Sequence, residues 1–177
     1  MSREIVLTEK QLDEIRSLRH YLIDASKIPD IMNDYVGVPI TTMEKMLPNT
    51  MFIIYGQFLV WVWLGLLNCV IEGWFRLKLH DKEIDGLVGS DISNATQFSK
   101  DLKNFRNAVF HYRNGNNDLG TPIQQDFLHD DIAMKWAMDL NIEFEKWFDY
   151  YFTSNNLPRD EPGYEWFKER VKQSHRD

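Results

Sequence analysis

Two side chains with complementary chemistry stand near the end of one amphipathic stretch. In LKNFRNAVFHYR, Arg106 and His111 are separated by four residues, and Asn107 follows the arginine directly. An imidazole ionises near neutral pH, so it can take a proton from one group and give one to another. A guanidinium stays charged and presents a flat fork of N–H donors that matches a phosphate or a carboxylate. Such a pair suits acid–base work beside a negatively charged centre. On a helix, Asn107 and His111 stand one turn apart on the same side, with Arg106 offset around the axis. Lys100, Lys103, Arg106 and Arg113 form a local basic strip, with Asp101 among them, of a kind that guides phosphates. A plainer reading stays open. His111, between Phe110 and Tyr112, could be a packed core or interface histidine, and Arg106 could pair with Asp101 or with a glutamate elsewhere. Spacing alone does not decide, because Arg170 and His175 repeat it in the charged C-terminal tail.

Composition narrows the setting. The chain has 177 residues, 44% hydrophobic and 14% aromatic, enough for one domain with a real core. A net charge of −7 argues against a protein coated in nucleic acid and against an anionic-membrane binder, but leaves room for a local basic groove. Cys69 is the only cysteine, which excludes an intrachain disulfide and any multi-cysteine zinc site; its apolar surroundings suggest a buried structural thiol. The five histidines are scattered, with no HExxH pattern. The N-terminus lacks a basic start followed by an apolar run, so a cytoplasmic protein is expected.

The elements that must position these residues read as helices throughout. The first begins at Thr8, where Gln11 completes a capping box, and ends near Lys27, before Pro29. A short helix opened by Thr41, with Glu44 as capping partner, closes at Pro48. A long segment runs from about Asn49 to His80, and another from Ser93 to Tyr112 carries Phe98, Leu102, Phe105 and Val109 on one face. DGLVGSD before that segment and RNGNNDLGTP after it read as loops. The last long helix, Asp130 to Phe152, has the clearest period: Ala133, Trp136, Ala137, Leu140, Phe144, Trp147, Phe148, Tyr151. A domain over 1–155 is followed by a linker and a short helix, 156–177, around Tyr164, Phe167 and Val171.

Residues 51–71, MFIIYGQFLVWVWLGLLNCVI, contain no charge and meet the length criterion for a membrane span. Gln57, Asn68 and the lack of a Lys/Arg cluster at either end weigh against that reading. The amphipathic neighbours need a partner to cover their apolar stripes. The segment is therefore expected to be the central helix of a bundle, its remaining face entering a dimer interface, and a membrane association is not expected.

With its polar Asn107 and apolar filling, the Arg106–His111 stretch resembles the HEPN superfamily, whose mark is Arg, a polar residue, a short filling and His. Trp136 and the WFDYYF segment are similar to bacterial and plasmid-borne members, and the likeness covers about residues 8–153. The resemblance implies an all-α, HEPN-like bundle of four main helices plus short flanking helices, working as a homodimer. It implies a metal-independent, cofactor-free endoribonuclease of the toxin–antitoxin or phage-defence kind. Arg106 and His111 would be catalytic at a composite dimer site, with Asn107 and Tyr112 supporting and Lys103 and Arg113 on the RNA. A cognate antitoxin is a possible partner. Relatives controlled by a nucleotidyltransferase antitoxin carry a tyrosine two residues beyond the histidine; here Arg113 stands there, and Tyr112 comes one residue early. A non-catalytic HEPN-like dimerisation or protein- or ligand-binding module is the alternative.

Overall fold

The computed structural model describes residues 8–37, 49–110 and 131–157, and all of the regular structure among them is helical. Five helices follow one another: α1, Glu9–Gly37; α2, Asn49–Leu77; α3, Lys82–Val88; α4, Gln97–Phe110; and α5, Asp131–Ser154. The short helix expected between Thr41 and Pro48, the loop following Tyr112 and the C-terminal helix around Tyr164 lie outside the described residues.

The capping box at the start of α1 is present. The Thr8 backbone N–H donates to Gln11 Oε1 at 3.0 Å, and the Gln11 N–H donates back to Thr8 Oγ1 at 3.3 Å. The helix does not stop before Pro29, as its sequence suggests, but continues to Gly37 with the proline inside it. A proline deletes one backbone bond, here to the carbonyl of Ala25, and its ring crowds that turn, a loss of about 3 kcal/mol. Ending the helix there would forgo every backbone bond of the next two turns.

Ile15, Leu18, Leu22, Ile23, Ala25 and Ile28 form the buried stripe of α1, which lies along α2. The approach is closest at Gly73, where an added Cβ would run into the Leu18 side chain. Trp63, Leu64, Leu67, Val70, Ile71 and Trp74 are the buried positions of α2, and this helix also packs against α4 and α5. The central position expected for it is observed. The stretch Phe58–Leu77 is long and apolar enough to cross a membrane by length and composition, yet half of it is buried inside the protein. Aromatic rings fill the space between α2 and α5. Trp74 meets Phe144 at 5.4 Å and Trp147 at 4.8 Å, both edge-on, and Trp147 stacks on Tyr151.

DGLVGSD is not wholly a loop. Its first four residues belong to α3, capped by Asp81, whose carboxylate accepts from the N–H groups of Glu83 and Ile84. Ile84 and Val88, one turn apart, are buried and hold this helix to the core. Gly89 then turns the chain at φ +97°, where an added Cβ would strike the Asn94 carbonyl. Asp91 organises the connection to α4 by accepting from the N–H groups of Ser93 and Asn94. Thr96 and Ser99 bond the carbonyls of Leu87 and Val88, and Trp136 Nε1 donates to the same Leu87 carbonyl at 3.0 Å. The start of α4 is thus fixed to α3 and α5 together.

Candidate site at the seam of α2 and α4

Leu102 and Phe105 turn α4 toward the core, and Phe98 stacks on Trp136 with ring centres 5.5 Å apart. That rotation brings Arg106 against α2. Its Nη2 donates to Glu72 Oε2 at 2.6 Å; the arginine side chain is 18% exposed and the glutamate 38%. Of the two partners open to Arg106 from the sequence, the distant glutamate is the one observed, while Asp101 accepts from Gln97. Asn107 is half-buried and Lys100 and Lys103 are exposed, so the basic strip runs from the solvated face of α4 into the seam. His111, Tyr112 and Arg113 lie outside the described residues. Phe110 is the last residue of α4, and His111 is next in the chain.

Cys69 lies one turn before Glu72 on α2 and is partly buried. Burial pushes its thiol above the ordinary value; the Arg106 charge pulls the other way and Glu72 adds to the rise. The thiol is therefore held protonated at neutral pH, as suits a packing residue and not a nucleophile.

A second polar constellation, unforeseen from the sequence, is buried between α1, α2 and α5. Asn141 is its hub. Its Nδ2 donates to Ser26 Oγ at 2.8 Å and to Glu145 Oε1 at 2.7 Å, and its Oδ1 accepts from Trp63 Nε1 at 3.3 Å. Ser26, Asn141 and Glu145 are all essentially inaccessible. Arg19, also fully buried, sets its guanidinium 4.2 Å from the centre of the Phe152 ring. A signal was available: Ala137, Asn141, Phe144, Phe148 and Phe152 fall on one helical stripe, which places the asparagine among aromatic core positions. Glu72 also left a trace, as the first charge after the charge-free run and one turn from Cys69.

The seam offers a guanidinium whose position is fixed by a carboxylate and whose exposed edge meets solvent one helical turn from the end of α4. It can orient an anion or brace two helices. Neither a protein-family model, nor a curated protein, nor a solved structure matches this chain.

Proposed function

We propose that the chain is a homodimeric, metal-independent endoribonuclease of the HEPN type, acting in the cytoplasm as a toxin or defence protein. The observation that carries this reading is Arg106, held at the α2–α4 seam by Glu72 and part-exposed, with His111 five positions on. Two copies related by a two-fold axis would bring two arginines and two histidines to one cleft. One His111 takes the proton of the ribose 2′-hydroxyl as its oxygen attacks phosphorus. The phosphorus–O5′ bond breaks, and the second His111 gives a proton to the departing oxygen. Arg106 offsets the charge that builds on the phosphorane oxygens. The products are a 2′,3′-cyclic phosphate and a 5′-hydroxyl. Asn107 and Tyr112 support the site, and Lys103 and Arg113 hold the strand.

A second reading, a non-catalytic dimerisation or binding module, is favoured by the Glu72 carboxylate, which already balances the Arg106 charge. Cleavage of total RNA with EDTA present separates the two. The nuclease reading expects cutting by the wild type that is lost in His111→Ala and Arg106→Ala. Equal cleavage by wild type and His111→Ala, or none by the wild type across varied RNAs, removes the assignment. Growth arrest on expression of the wild type, absent with both variants, would be the cellular counterpart.

A further inference from the structure

The geometry points to a nucleotide-binding groove on the exposed side of α1, lined by Arg16, Ser17, His20 and Tyr21, that accepts one phosphate and one flat base. The concavity measures about 360 Å³, the lower end of the range for small-ligand sites. Helical spacing sets its chemistry. Arg16 and His20 stand one turn apart, as do Ser17 and Tyr21, so two nitrogen-bearing side chains run beside a hydroxyl and a phenol ring. Tyr21 is 46% exposed, unusual for a large ring in a chain that buries most of its others.

No carboxylate is among the described residues lining the groove, although the chain is acidic overall. The nearby acids are otherwise engaged. Asp24 is paired with Lys27 at 3.1 Å, and Asp13 accepts from Arg16 Nη1 at 2.9 Å. The latter bond steadies the arginine from behind while its side chain remains 37% exposed. A guanidinium anchored in this way, beside an imidazole, suits a phosphate. The Tyr21 face suits a base, since aromatic–base stacking is indifferent to sequence. A free mononucleotide and a nucleotide within an RNA strand share this chemistry. The groove is separate from the α2–α4 seam and does not depend on the cleavage reaction.

The test uses the full chain carrying His111→Ala, titrated at low salt with 5′-AMP by calorimetry and with a fluorescent short oligoadenylate by anisotropy. Adding Arg16→Ala or Tyr21→Ala should each weaken binding at least about fivefold, the lower end of what losing one stacked base costs. Asp13→Asn, which releases the arginine, should leave binding intact or tighten it. Binding of AMP with this pattern identifies a mononucleotide site; binding of the oligomer alone identifies a strand site. No binding of either probe, or unchanged affinity in Arg16→Ala and Tyr21→Ala, overturns the inference. Cleavage of the same oligomer by the wild type is scored separately, so the nuclease reading can fail while the groove stands.

Discussion

Replacing Glu72 by glutamine removes one negative charge, and almost no volume, from the seam that holds Arg106. Two unit charges about 4 Å apart attract by about 4 kcal/mol at the effective dielectric near a protein surface. Part of that is lost here. Glu72 is 38% exposed and is screened by water, whereas Arg106, at 18%, has given up most of its hydration and depends on its partner. The net effect belongs between the ~0–1 kcal/mol of exposed pairs and the ~3–5 kcal/mol lost when a buried pair is broken. We expect Glu72→Gln to cost about 2 kcal/mol, mainly as arginine left with a weaker acceptor.

A double-mutant cycle isolates the pair from everything else Arg106 touches. Urea unfolding of wild type, Glu72→Gln, Arg106→Gln and the double variant, at one protein concentration, should give a coupling energy of about 1.5 kcal/mol. In 1 M salt the Debye length falls to about 3 Å, so a contact pair should keep a good part of that coupling while long-range effects vanish. If the two single losses add to within about 0.3 kcal/mol, the ion pair carries no energy. The claim that Glu72 anchors Arg106 would then be wrong.

Asn141→Ala should destabilise the protein by about 3 kcal/mol in urea, because it strips partners from the buried Trp63 N–H and the Glu145 carboxylate at about 1–3 kcal/mol each, the Ser26 hydroxyl being free to reorient. A loss below about 1 kcal/mol would mean that water takes over the hub. Asp91 titrates well below the usual carboxylate range because Ser93 and Asn94 donate side-chain and backbone hydrogen bonds to its ionised form. A depressed folded value means stability present above the unfolded pKa of about 3.9 and lost as pH falls through the folded one. Melting temperatures of wild type and Asp91→Asn should therefore differ near neutrality and converge in strong acid; a constant gap across that range would contradict the assignment.

What the sequence made legible was whatever depended on local pattern. The capping box of Thr8 and Gln11, the span of α2 and the stripe of α5 all follow from short-range spacing, and all are observed. Local rules misled where a wider balance outweighed them. Pro29 signals an end, but α1 loses only one bond there and runs on. Gly86 and Gly89 suggest a loop, but Asp81 caps a turn whose Ile84 and Val88 reach the core. Pairings between distant segments were the least readable. That Arg106 finds Glu72, and not Asp101 on its own helix, depends on how α4 is rotated against α2, which Phe105 and Leu102 set by being buried. That Asn141 meets both Ser26 and Trp63 depends on three helices at once.

The Glu72–Arg106 pair also bears on how the proposed nuclease would meet its substrate. A carboxylate beside a guanidinium cancels most of its distant field, and the chain already carries a net charge of −7. Long-range attraction of RNA is therefore weak at this site. The contact is not a blockade, however. A guanidinium has five N–H donors, so one edge can stay on Glu72 while another takes a phosphate oxygen. The fork is then oriented before the strand arrives, and little side-chain freedom remains to be lost when the phosphorane forms. On that account Glu72 exchanges capture at a distance for position at contact. Substrate capture must come from elsewhere, from the exposed Lys100 and Lys103 on α4 or from the groove along α1. Removing those groups should raise KM and leave kcat nearly unchanged, whereas Glu72→Gln should lower kcat. The opposite split would make Glu72 a competitor of the phosphate and not its guide.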